Sequence, residues 1–313
     1  GNLQAANIGV SQDLCILESA QTLGLAHSNL LQLELKTSRG LGEQIKFALD
    51  LGYRKFAIGL GGSGTNDVGL GMLEELGYSF LDINGKVVDG VLKNISQISQ
   101  IDASQLDSRL AESSFTILSD VTNPLSGTNG ASYVYGPQKG VRVEQLAEFD
   151  SGITQFSQVA ADYFGFDMSI HAGAGAAGGL GYAFLQFLSG KLVSGVEYIL
   201  SELNVGEAIA NADIVLTGEG RSDVQTAQGK VALGVARLAK QSHTPVLLIS
   251  GALTTEAYQL HDLGIDFMSS IQDYPASIEH VLQPEIAEKL LAQRIEEILR
   301  LLLIGRNLSN VVV

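Results

Sequence analysis

Short apolar runs recur along the chain, each followed by a glycine-rich or polar loop and then by an amphipathic segment. The runs at 15–18, 55–60, 115–119, 214–217 and 246–250 are bounded by turn residues and predict buried strands. Helical spacing predicts helices over 42–51, 67–76, 178–188, 229–240 and 286–303. In the last, Ile295, Ile298, Leu299 and Leu302 fall at i, i+3, i+4 and i+7 and mark one apolar stripe. Strands alternating with helices of this length predict an α/β fold with mainly parallel sheets covered by helices. Two places break the rhythm. Residues 79–82 run into Asn84-Gly85, a favoured two-residue hairpin turn, and then into 86–88, which predicts a local antiparallel ribbon. The span 204–213 leads from a long helical block to a fresh strand and reads as a domain crossover, giving domains at 1–205 and 206–313.

Composition narrows the class. The chain has 313 residues, 45% hydrophobic and 17% charged, enough for one or two packed cores rather than a disordered segment. Its formal net charge of −15 excludes nucleic acid and anionic membrane as expected partners, because such a surface repels phosphate at long range. A small anionic ligand stays compatible with that charge, since a few local cations reverse the field inside one pocket. The lone Cys15 has no partner for an intramolecular disulfide and sits in an apolar run, so it reads as a buried strand residue. No stretch approaches 18 consecutive apolar residues and the first residues carry no leader pattern, which leads to the expectation of a cytoplasmic enzyme.

Five loops carry candidate chemistry. The first, Gly59-Leu60-Gly61-Gly62-Ser63-Gly64-Thr65-Asn66-Asp67, follows a strand and opens a helix. Its start fits the G-x-G-x-x-G pattern and Asp82 stands near the ribose-binding distance, so an NAD-dependent oxidoreductase is a rival reading. Against that rival, the strand reaching Asp82 turns directly into a hairpin, and the loop carries more polar side chains than bare backbone recognition needs. The plain alternative is a strand-to-helix turn in which Asn66 or Thr65 merely caps the following helix, and both readings hold together, since a capped helix start beside free amides is already an oxyanion site. The second loop, Asp120-Val121-Thr122-Asn123-Pro124, places a carboxylate at a strand end, where it suits Mg2+ or a substrate hydroxyl, or else closes an Asx turn. The third, Gly136-Pro137-Gln138-Lys139-Gly140, offers Lys139 to a phosphate. The fourth, 173–181, is dense in small residues and predicts close backbone packing or close approach to a ligand.

The fifth loop, Thr217-Gly218-Glu219-Gly220-Arg221-Ser222-Asp223-Val224-Gln225, is followed by Lys230. It combines carboxylates for a metal or a hydroxyl proton with cations for developing oxyanion charge, the mixture that phosphoryl transfer requires. The plain alternative is a solvated loop in which Glu219 pairs with Arg221. No Walker A motif is present, since Val224 rather than glycine stands five before Gly229.

Taken as an ordered set, these blocks resemble the glycerate kinase family of bacteria. The likeness runs from near residue 9 to near residue 275. It rests on Thr37-Ser38-Arg39-Gly40-Leu41-Gly42-Glu43, Gly61 to Asp67, Asp120 to Leu125, Asn129-Gly130-Ala131-Ser132, Gly136 to Gly140, Gly173 to Gly179, and Gly218 to Asp223. The resemblance implies ATP and Mg2+, D-glycerate as acceptor, 2-phosphoglycerate as the usual product, and two α/β domains with a cleft between them. One of those domains is discontinuous in the family. Gly64, Val68 and Ser222 depart from the residues usual there, Ala, Gly and Ile. The family's Lys-Glu-Ser and Asp-Gly-Gly-Glu-Gly segments, which normally precede this region, do not occur in these 313 residues, and weak catalysis by the chain as given is expected.

The expected roles follow from the resemblance and the loop chemistry together. Glycerate is placed between the loops at 61–67, 120–123 and 219–223, with Arg221 on its carboxylate. Asp120 or Asp223 takes the hydroxyl proton, and Asp120 and Glu219 are the metal candidates. Gly61, Gly62, Ser63, Thr65, Asn66, Asp67, Asn123, Lys139, Glu219 and Lys230 are the binding candidates. The sequence leaves open the 2-OH against the 3-OH, a homo-oligomer, and a homologue that binds without turning over.

Overall fold

The computed structural model describes residues 4–25, 33–223, 226 and 231–309. Lys230, one of the phosphate candidates, lies outside the described residues. The chain divides into two compact units, Gly1–Gly195 and Val196–Val313.

In the first unit, β1 (Gly9–Ser11), β2 (Leu14–Glu18) and β3 (Lys55–Gly59) begin one sheet; β4 (Ser79–Leu81) and β5 (Gln100–Asp102) form a separate ribbon; β6 (Ser114–Leu118) and β7 (Lys191–Val193) complete the sheet. Its order is β1-β2-β3-β6-β7, with β2, β3, β6 and β7 parallel and β1 antiparallel at the edge. Phe56, Ala57 and Ile58 are consecutive and all buried, so β3 is covered on both faces, which is why it reads as an unbroken apolar run. Phe56 stacks on Phe115 across β3 and β6 with ring centroids 5.0 Å apart. Nearer the edge the cover is one-sided: Cys15 and Leu17 are buried while Ile16 is exposed. Burial accordingly pushes the Cys15 thiol up from its ordinary pKa, as expected of an inert strand cysteine.

The predicted ribbon is present. Asp82 N–H donates to the Lys86 carbonyl, and β4 gains its main partner from β5. The helix Arg39–Asp50 starts earlier than the expected 42–51, and the expected helix 67–76 shrinks to Leu70–Glu75 because Asp67 is spent on turns before it. The longest helix of this unit, Val143–Phe164, lies where pattern analysis placed no element. Its buried Phe149, Ile153, Phe156 and Ala160 recur at i, i+4, i+7 and i+11, the helical period in plain form.

In the second unit, β8 (Val215–Ser222), β9 (Val246–Leu253) and β10 (Phe267–Ser270) form a parallel sheet of order β10-β9-β8. Helix Val231–Ser242 packs over it through Ala232, Leu233, Ala236 and Ala239, and helix Pro284–Ser309 contributes Ile298 against Leu247 and Ile249. Within the span 204–213, helix Val205–Ala210 precedes β8. The helix before it, Gly195–Glu202, sends Val196 and Leu200 against Gly234, so this stretch packs with the second unit rather than the first. No described helix is long and apolar enough to cross a membrane.

Candidate active site

The first loop is organised around Asp67, which is fully buried. Its Oδ2 accepts the Ser38 N–H at 2.6 Å, the Ser38 hydroxyl at 2.8 Å and the Gly71 N–H at 3.3 Å, while Oδ1 accepts the Gly69 N–H at 3.2 Å. Burial pushes this carboxyl above the ordinary range, and the four donors pull it back. The remaining amides of the turn are also taken. Val68 N–H donates to Gly178 O, Leu70 N–H to Asp67 O, and Met72 N–H to the Ser38 hydroxyl. The expected oxyanion site at this helix start is therefore absent, because the protein's own acceptors occupy its donors. The N-cap is Gly69, not Asn66 or Thr65, and the Asp67 side chain two residues before it accepts the Gly69 and Gly71 N–H groups, bracing the turn from inside the protein.

The cation of the first unit comes from elsewhere. Lys139 sits in the turn Pro137–Lys139, only 2% exposed. Its Nζ donates to Thr65 O at 2.7 Å and to Ser63 Oγ at 3.2 Å. Both acceptors are neutral. Burial pushes the Lys139 pKa down to about 8, with Lys36 lowering it further and Asp67 raising it. The structure thus joins Lys139, Ser63 and Thr65 in one group. Gly61 and Gly62 lie at the exposed start of the loop, and Asn66 is fully buried with its Nδ2 donating to Ser132 Oγ at 3.0 Å.

The small residues at 173–181 serve packing. Gly178 adopts φ 70°, and a Cβ there would stand 2.7 Å from the Asn66 Cα. The same segment binds the second loop, since Gly175 N–H donates to Asn123 O at 3.0 Å. Asn123 is engaged at both ends of its amide: Nδ2 donates to Asn129 O at 2.8 Å and Oδ1 accepts from the Tyr135 hydroxyl at 2.7 Å. That makes Asn123 a brace of its own turn. Asp120 follows β6 at the C-terminal edge of the sheet, exposed, with Oδ1 accepting the Gly195 N–H at 3.2 Å. Its carboxylate is presented to solvent at the edge where parallel sheets bind ligands.

In the second unit the expected loop at 217–225 is mostly strand, because β8 continues to Ser222 and keeps pairing with β9 at Arg221 and Ser222. Glu219 Oε1 accepts the Ser222 hydroxyl at 2.6 Å and the Thr226 hydroxyl at 2.7 Å. Ser222, fully buried, also meets the Ser250 hydroxyl at 2.6 Å, so the departure from Ile at this position is filled by a hydroxyl network. Arg221 pairs with Asp223 at 3.4 Å, not with Glu219 as the plain reading of the loop had it. Glu219, Arg221 and Thr254 line a cavity of about 860 Å³ at this end of β8 and β9, together with Leu291 and Ile295. Its size suits a small-molecule ligand. Among the described residues no three His, Cys, Asp or Glu side chains are grouped to hold a metal ion. Mg2+ bound beside phosphates needs only one or two protein carboxylates, and Asp120 and Glu219 are donors of the right hard-oxygen kind.

The glycerate kinase family model matches residues 1–303. The chain belongs to the glycerate kinase family. It is 40% identical over 275 residues to the glycerate kinase of Bacillus cereus, an alignment covering 87% of this chain and 72% of that one. It is 43% identical over 235 residues to the glycerate 2-kinase of Escherichia coli K12, covering 75% and 62%. A crystal structure from Salmonella typhimurium LT2, assigned as glycerate kinase 2, superposes with a TM-score of 0.81 at 36% identity, covering 96% of this chain and 79% of that one. The chain thus spans 62% to 72% of the length of these two curated relatives.

Membership in this family agrees with the local geometry in setting aside the dinucleotide reading. Within the Gly59–Gly64 turn the Leu60 N–H donates to Leu118 O and the Gly64 N–H to Leu23 O, and the amides at the start of the following helix are taken by Asp67, Ser38 and Gly178. Asp82 belongs to the separate β4–β5 ribbon, where its Oδ1 accepts the Asn84 and Lys86 N–H groups of a turn. Sequence reasoning missed Lys36, Ser132 and the bracing role of Ser38. Ser38 and Ser132 lie inside blocks that carry the family likeness, which was the available signal; Lys36, one residue before the first block, had none.

Proposed function

We propose that this chain transfers the γ-phosphoryl group of ATP to the 2-hydroxyl of D-glycerate, giving 2-phosphoglycerate, with Mg2+ as the metal and the cytoplasm as the compartment. The observation that carries this reading is the match of the family model over residues 1–303. The loop geometry supports it. Lys139, a buried ammonium with neutral partners, supplies positive charge for phosphoryl oxygens. Asp120, exposed at the sheet edge, takes the proton of the attacked hydroxyl. Arg221, held by Asp223, presents a guanidinium to the substrate carboxylate. Glu219, oriented by the Ser222 and Thr226 hydroxyls, would hold Mg2+. When bound, the metal supplies charge neutralisation at the phosphates.

The test is incubation of the purified chain with Mg·ATP and D-glycerate, following ADP release with enolase coupling. Turnover with an enolase signal establishes the 2-kinase. ADP without that signal moves phosphorylation to the 3-OH or reveals idle ATP hydrolysis. Silence, with glycerate still bound, replaces the enzyme reading by that of a binding homologue.

A further inference from the structure

Lys36 joins the short helical turn Leu33–Leu35 to the segment leading into helix Arg39–Asp50. Its Nζ is shielded from solvent and, among the described residues, has no hydrogen-bond partner. Two residues on, Ser38 is bonded to Asp67, which fixes this segment beside the loop 63–67. Lys139 is bonded to Ser63 and Thr65 of the same loop. Two more polar groups of that loop are buried and unpartnered among the described residues: the Thr65 hydroxyl, in a residue 3% exposed, and Asn66 Oδ1, in a residue fully buried.

The charge count here is unusual. A buried ammonium is retained when an anion or several acceptors compensate it. Among the described residues the buried carboxylate of this group, Asp67, already accepts four hydrogen bonds from Ser38, Gly69 and Gly71. Lys139 spends two of its three N–H groups on neutral oxygens, and Lys36 spends none. Two cations, a hydroxyl and an amide oxygen are therefore held out of water with hydrogen-bonding capacity in hand. Such orphaned groups in a native structure call for a function, because each costs stability when left unmet.

We propose that Lys36 and Lys139 form a two-cation subsite in the first unit that binds the anionic oxygens of a small hydroxylated substrate, carboxylate or phosphoryl, with Thr65 and Asn66 as its neutral contacts. The identity of the anion rests on the glycerate kinase reading above; the subsite itself rests on the buried groups. Lys36 is thereby a binding residue of the reaction, and its aliphatic stem alone does not replace it.

The experiment is isothermal titration of the full chain with D-glycerate and, separately, with inorganic phosphate, on the wild type and on Lys36→Met, Lys36→Arg and Lys139→Met, together with the thermal midpoint of each ligand-free protein. Lys36→Met should weaken the responding anion on the order of ten- to a hundred-fold, the loss of one charged hydrogen bond. It should also raise the ligand-free midpoint, because an uncompensated buried charge is removed. A purely structural lysine would lower that midpoint instead. Lys36→Arg should keep most of the affinity, and it guards against misreading a folding defect. Loss confined to D-glycerate assigns the subsite to the carboxylate, and loss confined to phosphate assigns it to the phosphoryl group. Wild-type binding unchanged in Lys36→Met overturns the proposal, as does a wild type that binds neither anion. Anion binding that depends on Lys36 in a protein without turnover would sink the kinase reading and leave the subsite standing.

Discussion

The Asp67 carboxylate and Ser38 are joined twice, backbone N–H to Oδ2 at 2.6 Å and hydroxyl to Oδ2 at 2.8 Å, and the Ser38 oxygen then accepts the Met72 N–H at 2.9 Å. One side chain thus ties the start of helix Arg39–Asp50 to the start of helix Leu70–Glu75, with the loop 61–67 between them. Removing the hydroxyl by Ser38→Ala leaves a buried amide without an acceptor and a buried carboxylate with one donor fewer. The expected cost is about 1–3 kcal/mol for leaving such buried groups unsatisfied. Urea denaturation should show a lower midpoint with an unchanged slope. An unaltered midpoint would mean that Met72 and Asp67 find replacement partners.

The Lys139 ammonium should make anion binding fall as pH rises through about 8, well below the range of an ordinary lysine. The folded pKa is lowered, so between about 8 and the unfolded value the unfolded chain carries the extra proton. Over that window Lys139 makes the ligand-free protein more stable with rising pH, while the anion it serves binds less well. Asp67 and Lys36, the charged groups acting on it, pull in opposite directions. Phosphate titrations from pH 7 to pH 10 on wild type and Lys139→Met check this. The wild-type affinity should drop across the range, and the variant should be weak and nearly flat.

The parallel sheet of the first unit was legible because β3 is covered on both faces, so that Phe56, Ala57 and Ile58 form an unbroken apolar run. Tertiary use hid what was misread. Asp67 looked like a ligand because nothing in a sequence says that Ser38 will arrive to consume it. Residues 218–222 looked like a loop because Gly218 and Gly220 are poor strand formers, yet pairing with β9 holds them extended. Lys36 carried no signal at all, since a lysine reads as surface until its surroundings bury it. Helix Val143–Phe164, in contrast, shows its period plainly in Phe149, Ile153, Phe156 and Ala160.

Gly71 is required by contact rather than by backbone angle. A Cβ there would overlap the Thr37 hydroxyl and stand 2.9 Å from the Arg39 nitrogen and 3.2 Å from that of Ser38. Gly71→Ala should therefore destabilise by about 1–3 kcal/mol, as overpacking does. Thr37→Ala removes the side-chain part of the clash but not the backbone part. The double variant should recover part of the loss, and a double-mutant cycle in denaturant measures how much. Full additivity would mean that the strain lies entirely in the backbone.

Asp120 and Asp223 differ in what holds them, and the proposed roles differ with it. Asp223 is tied to Arg221 at 3.4 Å, so its charge is engaged in orienting the guanidinium. Asp120 is exposed beyond β6 and is bonded at Oδ1 by the Gly195 amide, a contact that orients the carboxylate without neutralising it. A base needs a carboxylate placed in this way. Asp120→Asn should lower kcat by about two to four orders of magnitude with a modest change in KM. Asp223→Asn should act mainly on the KM for D-glycerate, because it loosens Arg221 rather than removing a proton acceptor. Steady-state kinetics with both substrates varied read the two effects apart. The reverse pattern, with kcat lost in Asp223→Asn and kept in Asp120→Asn, would exchange the assignments and make the carboxylate of the second unit the base.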